Sequence, residues 1–207
     1  MNSMTTRIGL ISDVHATPAP VAEALALFAQ RGVEQVFCLG DIAGYGSQLA
    51  PTLDLLRQYE CQSILGNHEQ WYLEDHADDE AADYFQTLPT SRQVTIEAVS
   101  VYMVHASPPD SMMDGIHLLD EQGKVISAQR LVWEGEFENF KYDVLIVGHT
   151  HEVFCERLGN TLVINPGSTL FNHSCAILTL PDCTVEWLPL SNKQVQTTCN
   201  WSGGLPV

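Results

Sequence analysis

Residues 7–15 read Arg7-Ile-Gly-Leu-Ile-Ser-Asp13-Val-His15, and this stretch decides the fold that we expect. Its run of apolar residues predicts a buried strand, and two side chains able to bind metal follow the strand at once. Pro18 and Pro20 then suit the start of a helix, and Gly32 suits its end. A buried strand that leads straight into an amphipathic helix is typical of an α/β protein.

The same alternation continues further along the chain. Residues 35–39 predict a second strand, residues 50–59 a helix, and residues 63–65 a third strand. The acidic segment 69–86 is expected to be helical in part. The order β-α-β-α-β calls for parallel strands joined by right-handed crossovers.

The second half of the chain predicts antiparallel strands beside one more buried strand. The length of 207 residues suits a single domain that spans residues 1–207. The connection 106–140 has no clear period in its apolar residues and is expected to border a pocket. The polar tail 191–207 is expected to be loosely held. The predicted strands are residues 92–97 and 99–104, the buried segment 144–147, and two hairpins at 153–164 and 175–188.

Charge and composition exclude several classes of function. Only nine Lys and Arg oppose 26 Asp and Glu, which gives a formal charge of −17. Binders of extended nucleic acid or of anionic membranes present a basic face, so neither partner is expected, and positive charge at any phosphate site must come locally from metal. No apolar run approaches the roughly 20 residues that span a bilayer, and no signal-like segment opens the sequence, so we expect a cytoplasmic protein. Six cysteines without CxxC spacing predict free, buried thiols.

Side chains able to bind metal follow five of the predicted strands. In an open α/β sheet, ligands bind beyond the carboxyl ends of the strands, so loops distant in sequence can meet at one site there. Each short motif alone is a weak signal, and their joint placement carries the prediction. His76, His117 and His173 lack this setting and are expected to be surface or loop residues. The residues at strand ends are Asp13, His15, Asp41, Asn67, His68, His105, His149 and His151.

The residue types in this set indicate a transition-metal site. Imidazole mixed with carboxylate suits Mn, Fe, Zn, Ni or Co, whereas a calcium site would show more carboxylates and no histidines. One carboxylate can bridge two cations, and an amide such as that of Asn67 can bind through its oxygen without adding charge.

Five short blocks together resemble the signature of the calcineurin-like metallophosphoesterases. They are Asp13-Val-His15, Gly40-Asp41, Gly66-Asn67-His68-Glu69, His105 and Gly148-His149-Thr-His151. Their order and spacing match from residue 7 to about residue 168. The small size, the loop 40–46 and the segment Asn165-Pro-Gly-Ser168 are similar to the compact bacterial branch of small phosphodiesterases.

The resemblance implies a four-layer α-β-β-α sandwich, in which two mixed sheets pack together with helices outside. It implies two divalent metal ions, manganese being expected first, and a hydroxide between them that attacks phosphorus in line. His68 would protonate the leaving oxygen or steady the phosphate. One ion would be held by Asp13, His15, Asp41 and His151, and the other by Asp41, Asn67, His105 and His149, with Asp41 as the bridge.

Two departures from the family pattern narrow the substrate. Relatives that act on phosphoproteins carry arginine where this chain has Tyr45 and Leu65. Without these guanidinium groups, the site suits a small phosphodiester better than a doubly charged monoester, unless Lys124 or Arg130 moves in. The alternatives are a phosphomonoesterase of a small metabolite and a non-catalytic binding or scaffold protein that keeps the fold. The natural substrate and the oligomeric state, including a homo-oligomer, stay open.

Overall fold

The computed structural model describes residues 5–76 and 78–199, and the predicted order of elements is confirmed there, with one additional helix. The strands are β1 (Thr6–Ile11), β2 (Gln35–Cys38), β3 (Gln62–Ser63), β4 (Ser91–Ile96), β5 (Val99–Val104), β6 (Val144–Ile146), β7 (Val153–Leu158), β8 (Thr161–Pro166), β9 (Ser174–Leu180) and β10 (Thr184–Pro189). The helices are α1 (Pro18–Gln30), α2 (Leu49–Gln58), α3 (Asn67–Asp75), α4 (Glu80–Gln86) and α5 (Ser127–Glu136).

The strands form two mixed sheets of five strands each. The first has the order β10-β9-β1-β2-β3, and the second has the order β4-β5-β6-β8-β7. In the first sheet β1, β2 and β3 run parallel, as the β-α-β-α-β order predicts, and the hairpin β9-β10 joins antiparallel to β1. In the second sheet β5, β6 and β8 run parallel, with β4 and β7 antiparallel at the two edges.

Alternation along the strands explains why the two sheets pack face to face. Ile8 and Leu10 of β1 point into the same buried cluster as Met103 of β5 and Ile146 of β6. Burying such a side chain contributes about 1.5–3 kcal/mol each. The strand residues on the opposite face of each sheet pack against the outer helices and loops, so each sheet is covered on both faces.

Helices cover the outer faces unequally. Phe28 of α1, Leu56 of α2 and Phe85 of α4 pack on the first sheet. A Cβ at Gly9 would lie 2.6 Å from the Phe28 ring, so glycine is what lets α1 approach β1 this closely. On the second sheet, α5 contributes Trp133 beside the buried Phe137. The four-layer α-β-β-α sandwich is therefore confirmed.

The connection 106–140 differs from the predicted irregular segment, because it contains α5. No residue of α5 is buried, and Leu131 and Val132 are 68% and 58% exposed. The apolar side chains of α5 do not share one buried face, because Trp133 packs inward while Leu131 and Val132 face solvent, and we predicted no helix there. β3 also ends at Ser63, two residues before the end that we predicted.

The polar tail is hydrogen bonded as far as it is described. The Val153 amide donates to the Thr197 carbonyl, and the Asn172 side chain donates to the Gln196 carbonyl. The rest of the predicted loose tail, residues 200–207, lies outside the described residues.

All six cysteines are free, as predicted. Cys38 and Cys175 are buried, whereas the other four are half-buried, so the expectation of burial is correct for only two of them. Within the described ranges, no helix has the length and apolar content that crossing a membrane requires.

Candidate metal centre

The predicted ligands lie where the ends of the two sheets meet. Pairing between β1 and β2 continues past the strands, because the Asp13 amide donates to the Gly40 carbonyl (3.1 Å) and the His15 amide donates to the Asp41 carbonyl (2.9 Å). A link to the second sheet follows from the His149 amide, which donates to Asp13 Oδ1 at 3.1 Å. These bonds bring loops from both sheets to one point.

Five of the predicted ligands have a left-handed backbone. This region is unfavourable for residues other than glycine, and an isolated instance costs on the order of 1–3 kcal/mol. Such a conformation persists when the surrounding contacts hold it, and strain of this kind is typical of functional sites. The φ angles are 51° at Asp13, 49° at His15, 51° at Asp41, 66° at His149 and 51° at His151.

One group of ligand atoms comes from Asp13, His15 and His151, whose ligand atoms all lie within 4.8 Å of one another. Nε2 of His151 is 3.2 Å from Asp13 Oδ1 and 3.2 Å from Nε2 of His15. These three residues follow β1 and β6, so both sheets contribute to the group.

A second group comes from Asp41, His105 and His149, with Asn67 among them. Nε2 of His105 is 3.3 Å from Asp41 Oδ1, and Asn67 Oδ1 is 3.2 Å from Nε2 of His105 and 3.0 Å from Nδ1 of His149. Asp41 also groups with His15 of the first set and with His68, so it lies between the two sets.

The distances and donors fit divalent transition metals. Ligand atoms about 2.1 Å from one ion lie about 3.0–3.4 Å from one another in tetrahedral or octahedral geometry, and the separations above fall in that range. Nδ1 of His15 faces the Ala43 carbonyl (3.2 Å), and Nδ1 of His105 faces the Leu39 carbonyl (2.6 Å). A carbonyl only accepts, so Nδ1 carries the hydrogen and Nε2 is the nitrogen that would face a metal.

Two buried carboxylates make the centre attractive to positive charge. Burial raises the pKa of Asp13 and Asp41, but His151 lowers that of Asp13 and His105 lowers that of Asp41, so both pKa values lie below the ordinary range. Burial likewise lowers the pKa of His105 and His151, but Asp41 raises the first to about 10 and Asp13 raises the second to about 9. His15 differs, because burial outweighs both carboxylates and lowers its pKa to about 4.

His68 is the second residue of α3 and lies beside Asp41. Its amide donates to Asp41 Oδ1 at 3.0 Å, and its Nε2 is 3.9 Å from Asp41 Oδ2. The rings of Tyr45 and Trp71 each lie 4.9 Å from the His68 ring, centroid to centroid. Burial lowers the pKa of His68, although Asp41 and Asp13 oppose the shift. This position is compatible with a proton donor and also within reach of a metal.

A cavity of about 270 Å³ opens over both ligand groups. No lysine or arginine is found among the described residues that line it. Arg130 instead pairs with Glu134 and Glu156, and Leu65 packs against the helices of the first sheet. Besides the candidate ligands His15, Asp41, Asn67, His149 and His151, the lining contains Tyr45, His68, Trp71, His117 and Thr150.

His117 is a further residue at the cavity, to which we assigned no role from sequence. It is exposed, as expected of a surface residue, but it lines the cavity and is hydrogen bonded to the buried Glu152. His117 and Glu152 are 35 positions apart, and neither belongs to a recognisable motif, so sequence reasoning had no signal for the pair. His76 and His173 are not among the residues that line the cavity.

Three further residues hold the ligand loops, and we assigned them no role from sequence. The carboxylate of Glu69 accepts hydrogen bonds from the amides of Asp41 (2.9 Å), Ala43 (2.7 Å) and Gly66 (2.7 Å). Burial and the charge of Asp41 raise the pKa of Glu69 to about 7. The Asn165 amide donates to the Gly148 carbonyl (2.9 Å), and the Ser168 hydroxyl donates to the Asp13 carbonyl (2.6 Å). Glu69, Asn165 and Ser168 all lie inside recognisable motifs, so proximity to a motif is the signal that was available.

A family model described as a calcineurin-like phosphoesterase superfamily domain matches residues 6–181. The chain is 28% identical to an uncharacterised protein, MJ0912, of Methanocaldococcus jannaschii, over 84% of this chain and 74% of the relative. It is 25% identical to the phosphodiesterase MJ0936 of the same organism, over 78% of this chain and 82% of the relative. The solved structure of a metallophosphoesterase from Sphaerobacter thermophilus superposes with a TM-score of 0.68 at 23% identity, covering 91% of this chain and 90% of that one.

Proposed function

The chain belongs to the calcineurin-like phosphoesterase superfamily, and we propose that it is a metal-dependent phosphodiesterase that acts on a small substrate. The observation that carries the proposal is the pair of ligand groups around the shared Asp41. A lone structural ion would need only one such group. Two ions held side by side are the arrangement that suits in-line displacement at phosphorus.

In this proposal, each group of ligands holds one divalent ion. Asp13, His15, Asp41 and His151 hold the first, and Asp41, Asn67, His105 and His149 hold the second. When bound, the two ions supply Lewis acidity and positive charge to the phosphoryl group. Manganese is our first expectation for both positions, and a cytoplasmic location stays a prediction.

His68 acts on the substrate directly. Its place beside Asp41 lets it donate a proton to the leaving oxygen while its backbone amide holds the Asp41 carboxylate in position. Asp41 and Asp13 favour the protonated imidazole that such a role requires, whereas burial lowers the pKa of His68 on balance. Tyr45 and Trp71 flank the ring and limit the directions in which it can turn.

The preference for a diester follows from the charge of the cavity. A diester presents two unesterified oxygens, whose charge two bound ions would be sufficient to offset. A monoester presents a third, which a charge-assisted donor would have to meet, and the described lining has no lysine or arginine to do so. The site of this chain therefore favours the singly charged substrate.

A paired assay with one leaving group tests this preference. We expect a higher kcat/KM for bis-nitrophenyl phosphate than for nitrophenyl phosphate at saturating Mn²⁺. A monoester preference of about tenfold, or about 1.4 kcal/mol in transition-state stabilisation, would overturn the diesterase proposal and favour a metabolite phosphatase. Metal-loaded protein that turns over neither ester would instead favour a binding or scaffold protein with this fold.

A further inference from the structure

Glu152 is a buried carboxylate that the proposed mechanism does not use. It follows His151 directly in sequence and is 5% exposed. Its Oε2 accepts hydrogen bonds from the amides of Leu118 (2.8 Å) and Leu119 (3.0 Å), and its Oε1 lies 3.0 Å from Nδ1 of His117. A buried carboxylate normally requires such partners, and here they fix both the carboxylate and the neighbouring imidazole.

His117 is consequently held at one end and exposed at the other. A carboxylate only accepts, so Nδ1 carries the hydrogen, and Nε2 is the nitrogen that can face a ligand. The side chain of His117 is 65% exposed and lines the same cavity of about 270 Å³ as the two ligand groups. His117 therefore borders the same cavity in which a phosphate ester at the two ligand groups would lie.

The contact with Glu152 also favours a charged ring. The hydrogen bond to Glu152 raises the pKa of His117, and partial burial opposes this only in part. A protonated His117 turns Nε2 into a charged N–H donor, which forms hydrogen bonds to phosphate oxygens about twice as strong as those of a neutral donor.

We propose that His117 provides the third positive donor of this cavity and binds the phosphate oxygen that the two metal positions leave unmet. The proposal rests on the proposed phosphoesterase function. It assigns to His117 a role like that of the arginines that relatives acting on phosphoproteins carry at the positions of Tyr45 and Leu65. It makes His117 the residue that determines how well phosphomonoester dianions bind. Because a single imidazole carries less charge than the arginine pair, the diester stays the preferred substrate.

Calorimetric titration of the Mn²⁺-loaded protein with inorganic phosphate and with dimethyl phosphate measures this directly. Inorganic phosphate has an unesterified oxygen beyond the two that dimethyl phosphate presents. We expect His117→Gln to reduce the preference for inorganic phosphate, expressed as the ratio of the two Kd values, about tenfold. His117→Lys restores a cation and should recover most of the preference. His173→Gln, in a loop outside the cavity lining, is the matched control and should leave the ratio unchanged.

A double-mutant comparison tests whether Glu152 positions His117. Glu152→Gln should lower the same ratio in the wild-type background and leave it unchanged in the His117→Gln background. A ratio that His117→Gln does not alter, or inorganic phosphate that does not bind the wild-type protein, overturns the proposal. The titration requires no turnover, so a failure of the phosphoesterase function itself appears separately, as diester that the wild-type protein does not hydrolyse.

Discussion

At the edge where β1, β2 and β6 end, polar side chains are buried, the backbone is strained, and hydrogen bonds join loops that follow different strands. On α5, at the outer face of the second sheet, no residue is buried and large apolar side chains face solvent. The same chain therefore concentrates its conformational constraints at the sheet edge. Substitutions at the edge should cost function or stability, and those on α5 should cost little.

Asp41→Asn should have the largest effect, because it removes the negative charge that both ligand groups share. We expect the metal content to fall from two ions to one or fewer per chain, and turnover to fall to background. Elemental analysis after reconstitution with excess Mn²⁺ measures the first, and the diester assay measures the second. Asp54→Asn is the matched control, because Asp54 lies on α2 with 76% of its side chain exposed. Full metal content in Asp41→Asn would show that Asp41 does not bridge.

His68→Ala should keep the metals and lose turnover. A positioned acid typically contributes about 10²–10⁴ in rate, so kcat for the diester should fall by that factor. His76→Ala, at the far end of the same helix and exposed, should leave kcat unchanged. Because His68 also lies within reach of a metal, loss of metal in proportion to activity would instead identify it as a ligand.

Glu69→Gln should lower stability, because Glu69 holds the amides of the ligand loops. The amide of glutamine cannot accept from all three backbone donors, since its NH₂ group must face at least one of them. A buried donor without its partner costs about 1–3 kcal/mol, so the free energy of unfolding of the metal-loaded protein should fall by that amount. Urea denaturation measures it, with Glu74→Gln on the exposed face of α3 as the control. Equal stability of the two variants would mean that water replaces the lost bonds.

Leu131→Ser should have the smallest effect, because the side chain is 68% exposed on α5. Surface substitutions of this kind usually change stability by no more than about 0.5 kcal/mol. The same urea denaturation measures the change, and light scattering reports the oligomeric state. A loss above that range, or a change in mass, would show that another copy of the chain covers α5 in solution.

Sequence reasoning succeeded where the physical signal is local. The apolar run before Asp13 predicted β1, and the prolines at 18 and 20 predicted the start of α1. Each of these signals lies within a few residues of the element that it predicts. The candidate ligand positions, which stay a prediction, come from the same logic, since a metal-capable residue after a buried strand is visible without any tertiary contact. α5 was missed, and its apolar side chains are divided between the sheet, where Trp133 packs, and solvent, where Leu131 and Val132 lie.

What the sequence determined by itself was therefore the order of strands and helices and the set of residues brought to the sheet edge. Only the tertiary structure decided how those residues meet: that Asp41 lies between the two ligand groups, that Glu69 holds three loop amides, and that Glu152 fixes His117 in the cavity. Periodicity and motif spacing report on neighbours along the chain. Hydrogen bonds between residues 26 to 35 positions apart depend on how the loops fold back, and no local pattern encodes that.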